Sequence, residues 1–454
     1  MVKRGIASVA AVLVSAGLFL FSSIGTAAEA PHKPKIAPNC RQCHKPDENI
    51  IRGLFTGVSN KADLIQLQVG PATWLVNYDD DTKLIGAEKW SKIPKEKEVA
   101  VAITRKEGNL YAVSLTIKPP VKVAPERIMG LDELAKLVAA GPEKGNFVLV
   151  DSRPFPRFIE GHIPGAISIS GAEFDKLKER LPKEKDKLIV FYCAGPTCRL
   201  SPSSANKAGR LGYTKVRVFV DGMPAWKGSG NMVFSSAEYL KDTMGKDIPT
   251  VLVDVRPVDE AKKGHIPRAV DIQAKDMAQA KEKFPNDKSA PIVLYANDTK
   301  AAADVFKTVR GWGYANTTVL EGGMGAWKNA GDIVVTGDVA LKISYVPKLK
   351  PGEIPVEEFR KIAESPSADK LILDVRDEDE AADGMLKGAM NIPAGNIRGR
   401  LKDIPKDKEI ITHCATGVRA EMIYQILKEA GYRTRFLNAA IKFDKDGKYT
   451  ITRQ

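Results

Sequence analysis

Two loops in this sequence set a thiol shortly ahead of a guanidinium: Cys414-Ala-Thr-Gly-Val-Arg419 and Cys193-Ala-Gly-Pro-Thr-Cys198-Arg199. Each begins where an apolar run stops, KEIITHC or KLIVFYC, and leads into helix-forming sequence. A cysteine at the end of a strand and ahead of a helix collects backbone N–H groups around its sulfur, and the arginine adds a full positive charge. Both favour the thiolate, which is the nucleophile. The pattern therefore reads as nucleophilic chemistry at sulfur, with Cys414 or Cys193 as the activated thiol. The loop at Cys193 carries a second thiol, Cys198, placed to resolve a Cys193 persulfide or sulfenate, or to close a disulfide with it. Two more cysteines stand apart in Cys40-Arg-Gln-Cys43-His44, the spacing of covalent haem c attachment. There Cys40 and Cys43 would form thioethers and His44 would bind iron, with His32 or Met129 as the distal ligand. Zinc held by His32, Cys40, Cys43 and His44, or a plain Cys40–Cys43 disulfide, are the other readings.

The elements that position these loops are written three times. LVDSRPFPRFIEGHIPGAISI (149–169), LVDVRPVDEAKKGHIPRAVDI (252–272) and ILDVRDEDEAADGMLKGAMNI (372–392) are one pattern, and Cys193, Ala296 and Cys414 follow 40 to 42 residues after Asp151, Asp254 and Asp374. Units of roughly a hundred residues are tandem domains, since solenoid repeats run about 20 to 50. Each unit alternates short, continuously apolar strands with helices, which predicts an α/β fold: a parallel sheet covered on both faces. Functional groups in such sheets gather at the carboxyl ends of the strands, where both the Asp and the Cys fall. The middle unit has no thiol at Ala296, which excludes nucleophilic chemistry at sulfur there. His162 and His265 read as structural histidines. Residues 51–123 alternate apolar and polar positions, with a hairpin around Glu107-Gly108-Asn109, and predict a small β-rich domain closed by the linker KPPVKVAPE.

Taken together, the Asp-x-Arg pairs, the GHIPGA and GHIPRA turns, the Cys loops and the closing GMPAW and GGMGAW resemble the rhodanese family of sulfurtransferases. The resemblance covers about 124–450 in three copies and implies three rhodanese-like domains, 124–230, 231–336 and 349–450. It implies that Cys414 or Cys193 takes the outer sulfur of a donor such as thiosulfate as a persulfide and passes it to a thiol acceptor. Arg419 and Arg199 would steady the anion, and Asp151, Arg153, Asp374 and Arg376 join the catalytic set. The third copy departs from the pattern: its turn is GMLKGA, and NAAIKF stands where the closing Trp motif belongs. The longer Cys193 loop also resembles those of cell-cycle phosphatases and arsenate reductases, which leaves reduction of an oxyanion such as arsenate or selenite as an alternative. A non-catalytic redox scaffold beside multihaem cytochromes is another.

The start of the chain bears on all of these. Lys3 and Arg4 precede an apolar stretch ending in Thr26-Ala27-Ala28, the layout of a cleaved signal peptide spanning 1–28. An uncleaved anchor is the competing reading. Export, to the periplasm or beyond, would place residues 29–50 and their haem motif where cytochromes could exchange electrons with them, an arrangement similar to tandem rhodaneses of cytochrome-rich bacteria. The net charge of +13, from 69 basic and 56 acidic residues in 454, is spread along the chain and reads as solvated surface, not a nucleic-acid face.

Overall fold

The computed structural model describes residues 34–37, 45–106, 109–444 and 448–453. Cys40, Cys43, His44 and His32, with the haem site expected there, and the expected signal segment lie outside these residues.

The β-rich domain forms because its residues alternate in period two: the strand Ile50–Ser59 is half-buried and buried in strict turn. Six strands follow the order 72–77, 64–69, 50–59, 97–106, 109–117, 83–85, and a bridge between Asn77 and Tyr111 brings the first of these back to the fifth. The expected hairpin is present, pairing Lys97–Lys106 with Asn109–Ile117 antiparallel. Its core gathers Ile51, Phe55, Ile65, Leu67, Val101 and Leu115.

Each repeat then builds a wholly parallel sheet. In the first, the spatial order is Val216–Phe219, Leu188–Tyr192, Phe147–Asp151, Ala166–Ser168. The second and third repeats follow the same plan around Val251–Asp254 and Lys370–Asp374, the second with an added edge strand, Phe234–Ser235. Both faces are covered, so every repeat has two apolar clusters, one on either side of its sheet. In the first repeat Leu149, Val190 and Tyr192 face one cluster, while Val150, Ile189 and Phe191 face the other. Met129 is packed in the former with Leu134 and Phe147.

The closing Trp motifs have a physical reason. Gly222 and Gly323 hold positive φ, +59° and +54°, and a Cβ at either would run into the carbonyl of Cys193 or Ala296. The glycine thereby lets a short helix approach the Cys loop, and Met223 N–H donates to the Cys193 carbonyl at 2.9 Å. Trp226 and Trp327 anchor that helix, each donating its indole N–H to a backbone carbonyl at 2.8 Å. The third repeat replaces the helix with an antiparallel hairpin, Ala439–Phe443 with Tyr449–Arg453. Phe443 from this hairpin lies over the Arg376 guanidinium, 4.6 Å from ring centroid to carbon.

The β-rich domain precedes the first repeat in sequence, yet packs on the third. Ala62, Leu64 and Leu75 join the third repeat's core, and Gly57 lies where a Cβ would sit 3.0 Å from the Val418 side chain. Toward the first repeat, Val121 N–H donates to the Pro196 carbonyl at 2.7 Å. Among the described residues, no helix is long and apolar enough to cross a membrane.

Candidate functional site

The sheet topology brings the Asp-x-Arg pair and the Cys loop of each repeat together at the carboxyl end of two adjacent parallel strands. Asp151, Asp254 and Asp374 pair directly with Tyr192, Tyr295 and His413, the residues just before Cys193, Ala296 and Cys414. The Asp carboxylates are fully buried and engaged by the arginine two residues on, with Nη2 at 2.6, 2.6 and 2.5 Å. The same Nη2 atoms donate to the Gly161, Gly264 and Gly384 carbonyls at 2.6 to 2.7 Å. Arg153 and Arg376 are therefore clamps that tie the strand end to the following turn. A buried, paired charge of this kind fixes geometry, and its removal leaves a bare carboxylate. His162 and His265 have the structural place expected of them, each ring Nδ1 lying 2.9 and 3.0 Å from a helix carbonyl.

In the third repeat Cys414 is fully buried, and Gly417 N–H donates to its sulfur at 3.1 Å. Gly417, at φ +89°, turns the loop into the helix Val418–Glu429, and its amide is one of the N–H donors that the sequence leads one to expect on the sulfur. Arg419 is in the loop, but it is not free. Its guanidinium is forked onto Glu380, Nη1 to Oε2 at 2.7 Å and Nη2 to Oε1 at 2.8 Å, with Asp377 at 3.5 Å. The Arg419 hydrogen bonds hold Glu380 down to about 2, so this pair persists across the ordinary pH range. Lys61 from the β-rich domain reaches the same carboxylates, 2.8 Å from Asp377 and 3.4 Å from Glu380. Sequence reasoning missed both Glu380 and Lys61. Glu380 was legible in principle, because it follows Asp374 by six residues as Glu260 follows Asp254.

His413 is the other surprise. It stands where the other repeats have Tyr192 and Tyr295, whose hydroxyls accept from Ile163 and Ile266 N–H at 3.1 and 3.2 Å. Neither ring nitrogen of His413 has a hydrogen-bond partner among the described residues, and Asp374 Oδ2 lies 3.8 Å from Nε2. Burial drives its pKa down to about 4, so the ring is neutral.

The first repeat's loop is built differently. Cys193 is 1% exposed, its sulfur 2.9 Å from Ser201 Oγ and 3.6 Å from the Cys198 carbonyl. Burial, then the neighbouring Cys198, push the Cys193 thiol up. Cys198 is half-buried, and it moves the other way: the Cys193 hydrogen bond lowers it, aided by the Leu200 and Ala194 amides and the Lys118 charge, against burial. Arg199 is exposed at the start of the helix Leu200–Arg210; its carbonyl accepts from Ser203 N–H at 3.0 Å, while its guanidinium has no hydrogen bond or ion pair to a described residue. In the middle repeat Asn297 fills the position after Ala296, accepting from Arg256 at 3.3 Å and donating to Glu260 at 2.6 Å.

The pattern of the rhodanese-like domain matches residues 132–229, 236–330 and 355–442. The HTH-type transcriptional regulator Rv0324 of Mycobacterium tuberculosis is 42% identical over 89 residues, 19% of this chain and 38% of that protein. The putative sulfurtransferase YtwF of Bacillus subtilis is 35% identical over 63 residues, 14% of this chain and 61% of its own. A longer match, 24% identical over 255 residues, joins 44% of this chain to 89% of the putative thiosulfate sulfurtransferase SseB of M. tuberculosis. The chain thus spans 38% and 61% of the length of the first two relatives.

Proposed function

Since the chain belongs to the rhodanese-like domain family three times over, we propose that it is a sulfurtransferase working through a cysteine persulfide at Cys414, at Cys193 and Cys198, or at both loops. The observation that carries this reading is the buried Cys414 at a strand end, with the Gly417 amide on its sulfur and Arg419 in the same loop. An amide cradle and a guanidinium stabilise the thiolate that must attack, and then the persulfide anion that results. With thiosulfate as donor, the thiolate attacks the outer sulfur, the sulfur–sulfur bond of thiosulfate breaks, and sulfite leaves. The persulfide's outer sulfur is then taken by an acceptor thiol or cyanide, which returns the thiolate. The middle repeat, with Ala296 in place of cysteine and Asn297 across the loop, serves as a structural partner.

The proposal extends to the N-terminus on sequence grounds. Residues 1–28 would direct export, Cys40 and Cys43 would attach one haem c with His44 on the iron, and a periplasmic or outer-membrane cytochrome would be its electron partner. A bound haem would supply one-electron redox chemistry. Intact mass and an absorption spectrum of the protein from an exporting host, before and after thiosulfate, test both parts. Added sulfur on the Cys414 or Cys193/Cys198 peptides, lost in Cys→Ser variants, is the expected result. A haem band without any sulfur adduct would leave an electron-transfer scaffold in its place.

A further inference from the structure

We propose that in the first repeat the thiol that takes up sulfur is Cys198, not Cys193, and that Cys193 resolves the resulting persulfide, so that this loop releases sulfide instead of passing sulfane sulfur on. The inference rests on the sulfur-transfer reading and gives this loop its own substrate side and product.

Three placements carry it. Cys193 is 1% exposed with its sulfur against Ser201, whereas Cys198 is only partly buried, so a donor meets Cys198 first. Just before Cys198, Pro196 and Thr197 form one wall of a cleft of about 700 Å³ between the first repeat and the β-rich domain. A volume of this size suits a small ligand. The cleft's cationic groups are Lys92, Lys97 and Lys118, the last 3.7 Å from Glu98, against one lining acid, Glu88. Its charge therefore favours a small anion carrying sulfane sulfur, such as thiosulfate or a polysulfide. Finally, the Cys193 sulfur lies 3.6 Å from the Cys198 carbonyl, which sets the two thiols side by side in one loop, placed for exchange. The opposed displacement of their acidities agrees: the outer thiol is the readier thiolate.

The chemistry balances within the loop. The Cys198 thiolate attacks the outer sulfur of thiosulfate, the donor's sulfur–sulfur bond breaks, and sulfite leaves. Cys193 then attacks the Cys198 sulfur as its proton passes to the departing group. A Cys193–Cys198 disulfide forms, the bond to the outer sulfur breaks, and hydrosulfide leaves. The two thiols are oxidised by two electrons, which reduce the sulfane sulfur to sulfide. A dithiol reductant restores the pair by exchange.

The test uses the full-length chain carrying C414S, so that only the first loop reports. After one addition of thiosulfate, about one equivalent of sulfide and a Cys193–Cys198 disulfide are expected, as exchange requires. With C193S added, a persulfide should be trapped on the Cys198 peptide without sulfide release, and with C198S added, Cys193 should take up nothing. Limiting iodoacetamide on the unmutated chain should label Cys198 about tenfold or more faster than Cys193, the effect of at least one unit in thiol acidity. A persulfide on Cys193 in the C198S chain, or faster alkylation of Cys193, would overturn the assignment. Sulfur on Cys414 of the unmutated chain, with none on the first loop in any variant, would overturn it while leaving the sulfurtransferase reading intact. No sulfur on any cysteine would end both.

Discussion

At the scale of single residues, the third site is held by a choice that Arg419 has already made. A guanidinium forked onto a carboxylate is satisfied in geometry and charge, and an anionic donor must compete with Glu380 for it. We expect Glu380→Gln to lower KM for thiosulfate at Cys414 roughly fivefold, the worth of about 1 kcal/mol for a partly exposed pair, with kcat little changed. Steady-state kinetics in a chain lacking Cys193 and Cys198 would check it. An unchanged KM with a fallen kcat would instead mean that the carboxylate aims the arginine. His413 sets a second expectation. Folded, its pKa is about 4; unfolded, it returns to the ordinary 6.5. Below 6.5 the unfolded chain binds a proton that the folded chain refuses, so stability present at neutral pH is lost as pH falls toward 4, at up to about 1.4 kcal/mol per pH unit. His413→Tyr should flatten that dependence and offer Leu386 the hydroxyl that Ile163 and Ile266 receive in the other repeats. Denaturation of the third domain followed from pH 8 to pH 4 would show the two curves converging at high pH and separating at low pH. Parallel curves would remove His413 as the source.

At the scale of elements, the Cys loops depend on what approaches them. The Gly222 backbone passes so close to Cys193 that any side chain collides with the loop, and its φ of +59° adds strain for any other residue. Gly222→Ala should cost the first domain at least ~2 kcal/mol. Hydrogen exchange at Met223, whose amide is bonded to the Cys193 carbonyl, would report the loss, and an unchanged rate would count against this account of the GMPAW motif. The elements differ in how legible they were. Apolar strands ending in Asp and Cys, the Gly-Tyr helix ends and the β-hairpin are written in local periodicity, and the structure follows them. The hairpin Ala439–Phe443 with Tyr449–Arg453 was not read, because NAAIKF showed only that the Trp motif was missing and nothing local said what filled the space. Glu380 and Lys61 were hidden for a different reason: Glu380 finds its partner Arg419 39 residues on, Lys61 finds Glu380 319 residues on, and charge runs read as solvated surface until the chain is folded. The inverted roles of Cys193 and Cys198 depend on which thiol is covered, which spacing alone does not contain.

At the scale of the whole molecule, four bodies are joined so that the beginning of the chain closes on its end. The contact between Lys61 and Glu380 spans 319 positions, and Ala62 and Leu64 complete an apolar core whose other members come after residue 370. The β-rich domain is therefore made before the two repeats that separate it from its neighbour. During synthesis of the two intervening domains, the face that will meet Val418 stays wet and apolar, and its alternating strands are the kind that pair with strangers. A chain broken off before the helix Val418–Glu429 never covers that face. Copies that stop short of that helix would thus offer proteases an uncovered face on the β-rich domain.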